Sequence, residues 1–219
     1  MKMRPNICAI YLLIFFLFFP NFSIGDKLQI GNFSGSNLDG WEEKKFKGAT
    51  SYNFKKVDSK IVLMAESVDS ASGLVQKKTV NLEKYPYLNW SWRVEQKIKI
   101  EDEKVKSGDD YAGRIYVVID GGVLIWKTRV VNYVWASAAS KGTTWPNAFA
   151  GKNAMMMALR NKLDHTDTWY IEKRNVYEDL KALFGADYSS IDAIALMTDT
   201  DNSHSQAKMY YGDIFFSTD

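Results

Sequence analysis

Leu88-Asn89-Trp90-Ser91-Trp92-Arg93-Val94 decides the fold of this chain. Leu88, Trp90, Trp92 and Val94 fall on one face, and Asn89, Ser91 and Arg93 on the other. A side-chain period of two is that of a half-buried β-strand. Each Trp buries on the order of 200 Å², so this strand anchors a core and needs a second layer to cover it.

Outward from it, short segments rich in β-branched and aromatic residues alternate with turn residues, the pattern of an antiparallel sandwich. Strands are expected at Lys27 to Phe33, Ser51 to Val57, Ile61 to Glu66, Gly73 to Leu82, Tyr87 to Gln96, Gly113 to Asp120 and Val123 to Trp135. More follow at Ala154 to Arg160, Thr168 to Asn175, Ala193 to Thr198 and Lys208 to Phe216. The segments Arg114 to Ile119 and Leu124 to Trp135 lack clean alternation, as strands covered on both faces do. Asp120-Gly121-Gly122 is the strongest hairpin signal, since consecutive glycines accept positive φ angles. One short helix is expected near 176–184, with Val176, Leu180, Leu183 and Phe184 close to helical spacing and Gly185 placed to end it. The charged stretch Gln96 to Ser107, without an aromatic residue, reads as an exposed excursion. The fold class is all-β and mainly antiparallel, a single jelly-roll-like sandwich.

The N-terminus reads as a cleaved secretory leader. Lys2 and Arg4 precede an unbroken apolar run from Ile7 to Phe19, then Pro20, with small residues Ser23 and Gly25 at the expected cleavage point. The run is shorter than the roughly 20 apolar residues a spanning helix needs. Cys8 lies too early, and without small residues before it, to carry a lipid. Residues 1–25 are therefore read as the leader and 26–219 as one domain, exported to the periplasm or beyond and free of the membrane after cleavage. Without Lys2 and Arg4 the 28 basic residues fall to 26, against 26 acidic ones. A neutral chain lacks the basic field that nucleic-acid binding requires, and the lysines at 44, 45, 47, 55 and 56 read as solvated faces. Cys8 is the chain's single cysteine, so the mature protein forms no intramolecular disulfide. At 194 residues it is long enough to bury a substantial core.

Catalytic motifs are scarce. His165 and His204 are the only histidines, His165 in a polar loop, and no G-x-S-x-G elbow or zinc-ligand spacing occurs. Calcium is the one metal the sequence raises. Asp199, Asp201 and Ser203 place oxygens at alternate positions, as the first half of an EF-hand loop does, but His204 and Tyr210 stand where that loop needs Gly and Glu. Asp109, Asp110, Asp199, Asp201 and Asp213 lie at strand ends or in loops, and paired carboxylates such as Asp110 and Asp199 suffice for glycoside hydrolysis. Acids in such places also close turns or pair with arginines such as Arg93 and Arg114. Of the tryptophans, Trp145 in Thr143-Thr144-Trp145-Pro146-Asn147 is the best candidate for an exposed platform against a sugar face.

Several motifs in order resemble a bacterial exported family known as domain of unknown function 3047. They are Trp90-x-Trp92, Gly108-Asp109-Asp110 running into Arg114-Ile115-Tyr116-Val117, and Asn132-Tyr133-Val134-Trp135. They continue with Arg174-Asn175-Val176, Phe184-Gly185, Ile194-Ala195-Leu196-Met197 before Asp199-x-Asp201-Asn202, and Tyr211-Gly212-Asp213-Ile214. Ser203 stands where that pattern expects Gly. The resemblance implies export and a single domain but carries no activity. The terminal Gly212-Asp213-Ile214 is also similar, more loosely, to the last strand of galactose-binding-like jelly rolls, where carbohydrate-binding modules are common. The expected function is noncatalytic binding of a glycan or other cell-envelope ligand through Arg93, Asp109, Asp110, Arg114, Trp145, Asp199, Asp201 and Asn202, with no cofactor beyond the calcium candidate. The alternatives are a hydrolase or lyase using Asp110 and Asp199, and a structural envelope protein.

Overall fold

The computed structural model describes residues 25–219. The leader expected at 1–25 lies, but for Gly25, outside the described residues.

The alternating stretch forms the strand Tyr87–Gln96. Leu88, Trp90, Trp92 and Val94 are buried, while Asn89, Ser91 and Arg93 are only half-buried on the opposite face. Trp90 and Trp92 meet edge to face at 5.5 Å, the geometry the ring quadrupoles favour. Across the core, Tyr133 approaches Trp90 at 5.4 Å and Trp135 approaches Trp92 at 5.7 Å. This aromatic row joins the two layers, because Tyr133 and Trp135 belong to the other sheet.

In chain order the strands are β1 (Lys27–Gly31), β2 (Trp41–Lys47), β3 (Ser51–Val57), β4 (Lys60–Val68), β5 (Ala71–Asn81), β6 (Tyr87–Gln96) and β7 (Arg114–Ile119). Then come β8 (Arg129–Trp135), β9 (Thr144–Asn147), β10 (Gly151–Arg160), β11 (Tyr170–Asn175), β12 (Ser190–Asp199), β13 (Gln206–Tyr211) and β14 (Ile214–Ser217). The first sheet has the order β1-β14-β6-β13-β4-β3, with β11 paired to β6. The second runs β2-β5-β12-β7-β8-β10-β9. The pairings are antiparallel except β8 with β10, which is parallel. The result is the expected sandwich, mainly antiparallel.

The one α-helix among the described residues, α1 (Val176–Phe184), matches the expected span. Asn175 caps it by accepting a hydrogen bond from the Glu178 N–H, and Gly185 ends it at φ 68°.

Several expectations are corrected. The span Lys208 to Phe216 is two strands along the same partner β6, because the register slips by one residue between Tyr211↔Trp92 and Phe215↔Asn89, just after the Gly212 N–H donates to the Ser91 carbonyl at 2.8 Å. A Cβ at Gly212 would sit 2.2 Å from Ser91 Oγ, so any larger residue here requires that hydroxyl to turn away. The span Val123 to Trp135 begins as a 3₁₀ turn over Ile125–Lys127, and β8 starts at Arg129. The strands β2 and β9 were not expected. Residues 96–107 are not simply an exposed excursion, since Ile98 and Glu103 are buried. The Glu103 carboxylate accepts the N–H groups of Ala138 and Ala139 at 2.8 to 3.2 Å, which pins the excursion against the fold.

Candidate functional site

The register of the second sheet aligns side chains in rows, and residues directly opposite share a face. Ala195 of β12 pairs with Val75 of β5 and with Tyr116 of β7, and Tyr116 pairs with Asn132 of β8. On one side of this row run Gly73, Met197 and Arg114, and on the other Val118, Val130 and Ala154. These side chains face away from the core. Because most are small, they floor a groove with a cavity volume of about 580 Å³. Its rim carries Lys44 and Phe46 from β2, and Phe149 and Ala150 from the β9–β10 turn. Both phenylalanines are exposed, at 74% and 57%, and Lys106 Nζ lies 5.2 Å over the Phe149 ring.

Asn132 is the polar exception in the floor. It is 2% exposed, and its Oδ1 has no hydrogen-bond partner. The Nδ2 only reaches the Met155 carbonyl at 3.5 Å. A buried acceptor left unmade costs about 1–3 kcal/mol, so this atom is a place where a ligand donor is favoured.

A polar cluster closes one end of the groove. Arg114 donates through Nε to Asp199 Oδ1 at 3.0 Å and through Nη2 to Asp199 Oδ2 and the Asp109 carbonyl. Its Nη1 lies 3.7 Å from Asp109 Oδ2, and its guanidinium sits 4.2 Å from the Tyr111 ring centroid. Asn147 Nδ2 donates to both oxygens of Asp109, while Asn147 Oδ1 accepts the N–H groups of Phe149 and Ala150. The same amide thus fixes the Phe149 rim to the cluster. The Asp110 oxygens accept from the Asn202 N–H and Nδ2 and from the Ser203 N–H and Oγ. Burial pushes the Asp199 carboxyl up, to about 7, and Asp110 and Asp109 add to the rise against the pull of Arg114. Burial, with Asp110 beside it, also raises Asp201.

Of the residues singled out from sequence, Asp109, Asp110, Arg114, Asp199, Asp201 and Asn202 come together here. Asp110, Asp199 and Asp201 offer oxygens within 4.8 Å of one another, an arrangement open to a cation. The Ser203 hydroxyl lies against this cluster and donates to Asp110 at 2.6 Å. Two residues lie elsewhere. Arg93 sits on the outer face of the first sheet, paired with Asp167 at 2.8 Å and near Asp58 at 3.7 Å. Trp145 is not an exposed platform but is 4% exposed, packed in a small cluster with Tyr111, Val134 and Met156. His165 and His204 are exposed, His204 against Asp69.

Asn132, Tyr116, Asn147, Phe46 and Phe149 were not anticipated. The one available signal was Asn132 itself, a lone amide inside Val130-Val131-Asn132-Tyr133-Val134.

The family 30 carbohydrate-binding module of a cellulosomal cellulase of Clostridium thermocellum superimposes with a TM-score of 0.50 at 10% identity, over 88% of this chain and 98% of that one. A family 11 carbohydrate-binding module from the same organism gives 0.47 at 10%, over 90% and 97%. The glycoside hydrolase domain of Endo-D from Streptococcus pneumoniae gives 0.43 at 9%, over 82% of this chain and 22% of that one. No curated protein matches the sequence. These likenesses concern the fold. A family model described as "Protein of unknown function (DUF3047)" matches residues 39–215, and the chain belongs to that family.

Proposed function

We propose that this protein is a noncatalytic glycan-binding domain whose ligand lies in the groove on the outer face of the second sheet. The observation that carries the reading is the groove itself: an apolar floor holding one unpartnered amide oxygen, Asn132 Oδ1, between two exposed phenylalanines. A pyranose presents apolar C–H faces and a rim of hydroxyls. Such a molecule suits a floor of this kind, with Tyr116, Phe46 and Phe149 as ring contacts and Asn132, Asp201 and Asn202 as hydrogen-bonding groups. Sharing a fold with carbohydrate-binding modules does not fix function, and the groove is the stronger support.

The noncatalytic part of the reading rests on how the carboxylates are engaged. Asp199 is held by Arg114, and Asp110 by the backbone and side chains of 202–203. Both acids, with oxygens within 4.8 Å of one another, sit together at one end of the groove rather than on opposite sides of it.

The test is affinity electrophoresis and calorimetry against mixed-linkage β-glucan, β-1,4-galactan, cello-oligosaccharides and envelope polysaccharides. Binding that Phe149→Ala and Tyr116→Ala weaken, with melting unchanged for Phe149→Ala, supports the reading. Absence of any binder, or binding indifferent to both variants, sinks it. We further propose export with cleavage after Gly25, which places the ligand in the cell envelope or outside the cell. Amino-terminal sequencing of the secreted protein tests this, and a first residue other than Asp26 refutes the cleavage site.

A further inference from the structure

We infer that the groove selects glycans bearing an acetamido group, that is, N-acetylated amino sugars. This inference rests on the glycan reading above and specifies its substrate class.

An acetamido group brings three features at once: an N–H donor, a carbonyl acceptor and a methyl group. The floor offers a counterpart to each. Asn132 Oδ1 is a buried acceptor with no partner. Directly opposite it in the register stands Tyr116, whose hydroxyl donates to Met197 Sδ at 3.2 Å. Thioether sulfur is a weak acceptor, so that proton is readily re-aimed at a carbonyl oxygen. Beside the pair, Ala195, Val118, Val130 and Ala154 form an apolar surface of small side chains on which a methyl group packs.

The alternatives at the same sugar position fit less well. A hydroxyl satisfies Asn132 but leaves the small apolar side chains without a partner. An ammonium carries three N–H donors to a floor with one free acceptor, and a charge taken from water without full pairing is strongly disfavoured. The acidic cluster does not reverse this, because Asp109, Asp110 and Asp199 already accept hydrogen bonds from Asn147, residues 202–203 and Arg114, and Asp201 stands in the loop past Asp199, beyond the Met197 and Arg114 row and away from Asn132.

Three β-1,4-linked hexasaccharides that differ only at C2, bearing acetamido, ammonium or hydroxyl groups, test the inference by titration calorimetry on the purified protein. The expected result is binding of the acetamido form at least about tenfold tighter than the hydroxyl form, the worth of one good hydrogen bond. Asn132→Leu, which keeps the branched heavy-atom shape without the acceptor, is expected to cut that preference severalfold while keeping a cooperative melt. Tyr116→Phe, which retains the ring, provides the second variant should the first not fold. Equal affinity for the three sugars, preference for the ammonium form, or a preference unchanged in both variants overturns the inference while leaving glycan binding standing. No binding of any hexasaccharide, or of any polysaccharide in the wider panel, overturns both.

Discussion

Arg114→Met is the perturbation that most directly tests the polar cluster. The guanidinium is the one cation in direct contact with Asp109 and Asp199, and Asp110 and Asp201 stand beside them. Methionine keeps much of the aliphatic packing against Tyr111 and removes the charge. Asp199, 2% exposed, then retains only the Tyr111 N–H at 3.3 Å. Breaking a buried ion pair by removing one partner costs about 3–5 kcal/mol. That cost must depend on pH. In the native protein the Asp199 carboxyl is raised to about 7, so the folded state binds its proton more tightly than the unfolded state does. The stability linked to that proton is present in full below the unfolded value near 4 and is lost as pH rises through about 7. Without Arg114 the carboxyl rises further. In acid it is neutral and tolerates the loss, whereas above pH 7 it must ionise unpaired or stay protonated at a cost. Urea unfolding followed by tryptophan fluorescence should therefore show a loss of about 3–5 kcal/mol at pH 8 and distinctly less at pH 5.5. Adding Asp199→Asn to Arg114→Met should recover part of the loss at pH 8. A loss below about 1 kcal/mol, the range of a surface pair, or one equal at both pH values, would refute the reasoning.

Trp145→Ala should cost about 3–5 kcal/mol, as truncation of a buried tryptophan does, and thermal melting will show whether it acts through stability rather than as a lost binding platform. Calcium and chelator should leave the melting temperature unchanged, because the Asp110 oxygens are occupied by donors from 202–203 and Arg114 already neutralises Asp199. A rise with added calcium would instead assign the Asp110, Asp199 and Asp201 cluster to an ion. Glu95→Ala on the opposite sheet should leave saccharide affinity intact in calorimetry while lowering stability by about 1.5–3 kcal/mol, chiefly through the lost Tyr210 hydrogen bond to a charged group and less through the partly exposed pair with Lys208.

What the sequence made legible follows from where free energy is concentrated. The period-two stretch at 88–94 and the β-branched runs around it were readable, because burying large side chains on one face leaves a pattern in the order of residues. The strand β2 was not, since Trp-Glu-Glu-Lys-Lys-Phe-Lys pairs along one edge with Trp41 only half-buried and every other residue exposed, and so carries no apolar period. Trp145 misled for the opposite reason. Its Pro-Asn context reads as a turn, yet Pro146 sits on an edge strand, where a missing N–H costs nothing. The acidic residues of the cluster could be nominated individually. Their meeting depends on β7, β12 and the loop after β12 arriving at one sheet end, which no local spacing records.

The two outer faces of the sandwich show why Arg93 and Arg114, alike in sequence as single arginines in apolar strands, have different roles. On the first sheet, Arg93 leaves only its buried Nε unpartnered and lies among charged groups that pair with one another. Lys208 pairs with Glu66 at 2.7 Å and Glu95 at 3.3 Å, Tyr210 donates to Glu95 at 2.5 Å, and Arg93 holds Asp167. A ligand there would have to displace formed pairs and bring its own water-exposed groups in exchange. On the second sheet, Gly73, Ala195, Val118, Val130 and Ala154 bear no polar side chain that could pair across the face. The floor remains uncovered, and its one buried amide oxygen is left unpartnered. Gly73 keeps it so, since a Cβ there would lie 2.9 Å from the Leu196 carbonyl oxygen. A surface that has not satisfied itself is the one on which a ligand gains most by binding, and Arg114 belongs to that surface because it gathers the acids at its end.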